Sequence, residues 1–91
     1  MQISYKKKEK IYEQILALLF SKSPKALFTN QIASEIARDE EFIKNLLLEL
    51  KKKNLVIQIN KNPNGIDYKR RSRWKLTEIV YKAYKQHQEI N

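Results

Sequence analysis

Ninety-one residues, 42% of them hydrophobic, make one domain around one core. That is too little chain for a separate substrate domain, and too apolar for disorder throughout. Nineteen Lys and Arg against ten Asp and Glu give a net charge of +9 and an isoelectric point near 9.8. The balance points to a polyanion, with nucleic acid first and an acidic membrane surface second. With no cysteine and only His87, disulfides, thiolate chemistry and cysteine zinc sites are excluded, and one histidine cannot build a metal site unaided.

The start, "MQISYKKKEK", is basic but is followed by no signal-peptide core and cleavage site. The run "ILALLF" (15–20) is far shorter than a membrane span. The expectation is therefore a cytoplasmic protein without membrane contact. Residues 6–21 place Ile11, Ile15, Leu18 and Leu19 on one helical face, widened by Tyr12, Leu16 and Phe20. Ser23-Pro24 interrupts that pattern, and "KALFT" (25–29) reads as a brief strand or extended connector.

A short helix over about 30–38 follows, capped by Thr29 or Asn30, with Ile32, Ala33, Ile36 and Ala37 as its buried stripe. Asp39 is a good N-cap for the next helix, and Glu40 and Glu41 suit its positive end. Its apolar face is Ile43, Leu46, Leu47 and Leu50. Lysines 51–53 suit its C-terminus, and Asn54 can adopt a left-handed stop. Phe42 and Leu48 read as extra core, with contacts to thymine methyls as the alternative.

After Asn54 the period becomes alternating. Leu55, Ile57 and Ile59 share one strand face, and Val56, Gln58 and Asn60 the other. "NPNG" (62–65), with the only glycine, is a turn. Beyond it Tyr68, Arg70, Ser72, Trp74 and Leu76 alternate with the wholly basic Lys69, Arg71, Arg73 and Lys75. This strand should pack at its C-terminal half and be solvated on the other face. Thr77 caps a final helix in which Val80, Ala83, Tyr84 and His87 recur at helical spacing, His87 as a partly buried residue.

The order is helix, short strand, helix, helix, hairpin, helix: an α+β chain, mainly α. "TNQIASEIARDEEFIKNLLLELKKKNLV" (29–56) and "RSRWKLTE" (71–78) resemble the winged helix-turn-helix pattern of small PadR-like and MarR-like regulators, over residues 9 to 86. The resemblance implies one winged helix-turn-helix domain over 1–91. Its helix-turn-helix spans about 30–53, its wing about 55–76 and its C-terminal helix about 77–88. Three positions depart from the family pattern. Ala37-Arg38 stand where a turn glycine is usual, Ile79 follows "LTE", and Glu40 and Glu41 sit where neutral residues are common.

The resemblance also implies an interface with double-stranded DNA. Between residues 61 and 75 lie six basic side chains and one acid, more than half the net charge. Of these, Lys61, Lys69, Arg70, Arg71 and Arg73 would reach phosphate or the minor groove. Charge on an edge strand also prevents sheet aggregation, but either sign would serve that purpose. The third helix would enter the major groove with Glu41, Lys44, Asn45, Lys51 and Lys52, and Asn45 is suited to adenine. Thr29, Asn30 and Gln31 would anchor a phosphate at the start of the second helix.

Tyr5, Tyr12, Leu16, Phe20, Tyr81 and Tyr84 exceed the needs of one small core; the resemblance implies that they form a homodimer interface, and a generous monomer core is the other reading. Two recognition helices would then meet half-sites ~34 Å apart. No catalytic constellation, Gly-rich phosphate loop, cofactor motif or metal-ligand cluster occurs, so an enzyme is not expected. The leading function is a nucleoid-associated transcription regulator. A DNA-partition or DNA-organising protein that spreads from its site is the alternative, and a winged-helix adaptor with an acidic protein partner is a further one.

Overall fold

In the computed structural model the described residues are 5–60 and 71–90, with side chains described for 6–60 and 71–88. Helix α1 (Tyr5–Lys22) leads through a turn at Ser23-Pro24 to strand β1 (Leu27–Phe28). Helices α2 (Thr29–Ile36) and α3 (Glu40–Lys52) follow. Strands β2 (Val56–Ile59) and β3 (Arg73–Leu76) then precede helix α4 (Glu78–Ile90). The element order is the one the sequence predicts. The tip of the predicted wing, with Pro63, Gly65, Tyr68, Lys61, Lys69 and Arg70, lies outside the described residues.

The sheet is antiparallel, in the order β1-β3-β2. Its register explains which residues turn inward. Trp74 and Leu76 are buried, so their partners across β2, Gln58 and Val56, share the inner side. Val56 is buried while Ile57, opposite Lys75, stays 40% exposed. Directly opposed residues in an antiparallel pair point to the same face. The core then closes between Ile11, Ile15 and Leu19 of α1, Ile32 and Ala33 of α2, and Ile43, Leu46, Leu47 and Leu50 of α3. Leu18 and Ile36 reach it only in part.

Helices α2 and α3 end by the same device. Arg38 N donates to Ala33 O and Ala37 N to Ser34 O; Leu55 N donates to Leu50 O and Asn54 N to Lys51 O. These are Schellman pairings, which need a left-handed residue just past the helix. Asn54 supplies it at φ 61°, as predicted, and Ala37 at φ 60°. Ala37 is therefore not part of the buried stripe of α2: it is exposed and ends the helix. An alanine in this conformation costs about 1 kcal/mol or more, a cost that glycine avoids. Ala37→Gly should accordingly raise unfolding stability by about 1 kcal/mol, and Asn54→Gly by less, as read from urea midpoints. An unchanged Ala37→Gly midpoint would count against the strain.

Other expectations shift. Thr29 and Asn30 do not cap α2. The N-cap is Phe28, whose amide is taken by the Gln31 side chain at 2.9 Å, while the Thr29 hydroxyl accepts from Trp74 Nε1 at 2.8 Å. A tertiary partner 45 residues away displaces the local one. Asp39 does cap α3, accepting from Phe42 N at 3.0 Å. Thr77 stands before α4 with its carbonyl accepting from Tyr81 N, but its hydroxyl donates to Leu55 O. In α4 the buried side is Val80 with Tyr81 and Tyr84 packed beside it; Ala83 and His87 are exposed. The rings of Tyr81 and Tyr84 turn the helix toward Phe20. Phe42 packs against the core, whereas Leu48 stays 38% exposed.

Candidate nucleic-acid interface

On α3, Glu41, Lys44, Asn45, Leu48, Lys51 and Lys52 are all exposed and recur at helical spacing. They form the face opposite Ile43, Leu46, Leu47 and Leu50, so the candidate residues of this helix share one solvent-facing surface. Its first turn carries Glu40 and Glu41 and its last Lys51 and Lys52. Negative charge thus sits where the helix dipole is positive, and positive charge where it is negative.

Lys51 is also tied to the hairpin. Its Nζ donates to Gln58 Oε1 at 2.8 Å, Gln58 Nε2 donates to Ser72 Oγ at 2.8 Å, and Ser72 donates to Asn60 Oδ1 at 2.7 Å. Among the described residues the last backbone pair between the strands is Ile59 with Arg73. The Ser72–Asn60 bond carries the pairing one step further toward the wing. Sequence reasoning placed these polar residues on strand faces without a role. The alternation marks their side of the strand, but only the register brings Gln58 within reach of α3.

At the wing root the guanidinium groups of Arg71 and Arg73 lie 5.4 and 5.9 Å from the centroid of the Phe28 ring. Arg71 is exposed and Arg73 half-buried. Phe28, Thr29, Asn30, Glu40, Arg71 and Ser72 line one small depression of about 20 Å³. Three of the predicted contacts, Thr29, Asn30 and Arg71, are therefore neighbours there. The Thr29 hydroxyl is engaged by Trp74 and the Gln31 carbonyl oxygen by Phe28 N. Asn30 and Gln31 also border a shallow cleft of about 430 Å³ with Lys22, Lys25, Ser34 and Glu35. Phe28 itself was not singled out: an aromatic in a two-residue strand carries no pattern.

Much of the predicted dimer surface has partners within the chain. Phe20 packs 5.4 Å from Tyr81 and 5.5 Å from Tyr84, centroid to centroid, and Leu16 is half-buried against the core. The side chain of Tyr5 lies outside those described. Burial pushes the Tyr84 phenol up, with a smaller push from Glu13. Tyr12 donates to Glu49, which also receives Lys8 Nζ at 2.7 Å, while Lys53 lies 5.0 Å over the Tyr12 ring. This cluster ties the start of α1 to the end of α3.

Lys8 and then Tyr12, by hydrogen bonding, hold the Glu49 carboxyl below its ordinary value. Burial and then Glu49 push the Tyr12 phenol up, and the Glu49 bond raises Lys8. A lowered carboxyl contributes stability that is present above its unfolded value and lost as pH falls through the folded one. The raised Lys8 and Tyr12 contribute below their unfolded values and lose it as pH rises through the folded ones. Since 34% of Lys8 and 41% of Glu49 remain exposed, screening keeps the effect small. Glu49→Gln should lower the urea midpoint at neutral pH, and the gap should close only as pH falls through the lowered folded value of Glu49, below the ordinary carboxylate range. A gap that persists in acid would refute the ionic origin.

Among the described residues no helix is long and apolar enough to cross a membrane, and no group of His, Cys, Asp and Glu is placed to hold a metal ion. No protein-family model and no curated protein sequence matches the chain. Solved structures do. MepR of Staphylococcus aureus in complex with DNA superposes with a TM-score of 0.67 and 25% identity, covering 93% of this chain and 73% of that one. A mutant MepR covers 97% of this chain at 25% identity and a TM-score of 0.66. This chain spans only 58% of that MepR chain. PcaV, a transcriptional regulator of Streptomyces coelicolor, matches at 0.63 with 18% identity over 84% of this chain and 54% of its own. MepR is itself a transcription regulator, of the multidrug efflux pump MepA. These relatives in structure are regulators rather than enzymes, and the chain shares their fold, the winged helix-turn-helix of MarR-like proteins.

Proposed function

We propose that the chain binds double-stranded DNA as a small transcription regulator, with α3 in the major groove and the hairpin on the adjacent backbone. One observation carries the reading. The exposed Lys44, Asn45 and Lys52 face of α3 and the arginines of the wing root lie on elements that the Lys51–Gln58–Ser72 bonds join. The MepR–DNA complex supports it by likeness of fold. Glu40 and Glu41 repel phosphate from the first turn, so Glu41 would contact the groove only at a cytosine amine, with Lys44 and Asn45 next along the helix. Lys61, Lys69 and Arg70, outside the described residues, would add phosphate contacts, and Asn30 and Gln31 at the start of α2 would anchor another. Tyr12, Leu16, Phe20, Tyr81 and Tyr84 remain the proposed homodimer surface, through the parts of these half-buried rings and chains that stay accessible.

The experiment is a DNA titration at two salt concentrations. Several phosphate contacts make log K fall steeply with log salt, by about 0.9 per contact. A flat response removes the DNA reading and favours an acidic protein partner. Asn45→Ala should cost about 1–3 kcal/mol on a preferred site and relax its sequence preference, while leaving random DNA nearly unaffected. Equal losses on both would take base reading away from Asn45. Footprints on lengthening DNA separate a bounded regulator site from protection that spreads with concentration, as a partition protein would give. Sedimentation with and without DNA reads the dimer.

A further inference from the structure

We infer that Phe28 is the positioning residue of the wing: its ring seats Arg71, with Arg73 packed against the same ring, and directs the exposed Arg71 guanidinium at a DNA phosphate. The inference rests on the DNA reading above and names a residue outside the surfaces assigned so far.

The placement follows from the sheet. Phe28 is the direct partner of Arg73 across β1 and β3, so both side chains stand on the same face, away from Trp74. Arg71, two residues earlier, falls on that face as the diagonal neighbour. Both guanidinium groups come within 6 Å, at 5.4 and 5.9 Å from the ring centroid, the range of attraction to the ring quadrupole. Phe28 is half-buried and anchored at its backbone. Its backbone belongs to β1, its amide is held by Gln31 Oε1, and it is the N-cap of α2.

The chemistry favours an anion as the third party. The exposed Arg71 guanidinium, held over the ring by attraction to its quadrupole, can still offer paired donors to a bidentate oxygen acceptor. An exposed arginine otherwise loses many rotamers on contact, and a ring that restricts it beforehand reduces that loss. Arg71 shares its small depression with Phe28, Thr29 and Asn30, at the first turn of α2, where helix amides also favour negative charge. Glu40 on the rim of the same depression opposes an anion there, so a restrained arginine matters more at this point than at the wing tip.

The test compares wild type, Phe28→Leu and Phe28→Tyr on a random-sequence duplex at two salt concentrations, with thermal unfolding alongside. Leucine keeps apolar bulk without the ring quadrupole, and tyrosine keeps the ring. Phe28→Leu should weaken binding about three- to tenfold and flatten the salt dependence, and Phe28→Tyr should restore both. In an Arg71→Ala/Arg73→Ala background Phe28→Leu should have no further effect, which a merely structural role would not predict. Full binding by Phe28→Leu, failure of tyrosine to rescue, or an undiminished loss in the double-alanine background overturns the inference. Wild type without salt-dependent binding removes the DNA reading as well. Wild-type binding with an indifferent Phe28→Leu removes only the positioning role.

Discussion

Replacing Arg70, Arg71 and Arg73 together by Ala should lower affinity for any DNA duplex about a hundredfold at ~0.15 M salt. Each phosphate contact removed takes about 0.9 from the slope of log K against log salt, so three take about 2.7. Extrapolated from a ~1 M reference, where counterion release contributes nothing, that slope amounts to about two decades at ~0.15 M. The loss should be alike for preferred and random sequences, because phosphates carry no base identity. Stability should change little, since Arg71 is exposed and Arg73 only half-buried. Lysine at all three positions should keep most of the slope while losing the bidentate and stacked geometry. If the alanine triple binds with wild-type affinity and slope, the wing does not touch DNA.

These arginines also show what a sequence can and cannot reveal about such a site. Their charge and alternation with Trp74 and Leu76 are one-dimensional facts, and burial of Trp74 and Leu76 with Lys75 exposed follows the predicted faces. Helices α1 and α3 were legible for the same reason: apolar residues at helical spacing, bounded at α3 by Asp39 and Asn54, need no tertiary partner to be recognised. Residues whose partner lies elsewhere in the chain were not legible. Thr29 looks like a cap until the Trp74 indole claims its hydroxyl, and Phe28 looks like filler until strand pairing sets it against Arg73. The alternation of β2 defines two faces without saying which is inner. The face with three aliphatic residues turned out to be the outer one at Ile57, because Val56 sits opposite Leu76. The aromatic surplus of α1 and α4 was visible, but not that Phe20 would hold Tyr81 and Tyr84 within one chain.

Trp74→Ala should be the most damaging single change, at about 3–5 kcal/mol. The side chain is fully buried, on the central strand of the sheet, between Leu27 of β1 and Gln58 of β2, with α1 packed on that strand. Truncation opens a large cavity where three elements meet and strips the Thr29 hydroxyl of its indole donor. A domain of this size commonly has a stability near the low end of about 5–15 kcal/mol, so much of that margin would go. Trp74→Phe separates the two contributions: it keeps most of the apolar volume and loses the 2.8 Å bond, at about 1–2 kcal/mol. Circular dichroism in urea reads both without relying on the lost fluorophore. The DNA consequence differs from that of the arginine triple. In the fraction of Trp74→Phe that stays folded, the salt slope should be that of wild type, because Phe28 still seats the wing-root arginines and no phosphate contact is lost, while affinity should fall only as far as Thr29 and the root of β3 shift. Should Trp74→Ala unfold within about 1 kcal/mol of wild type, the packing between wing root and α2 would not be what holds the hairpin to the helix-turn-helix.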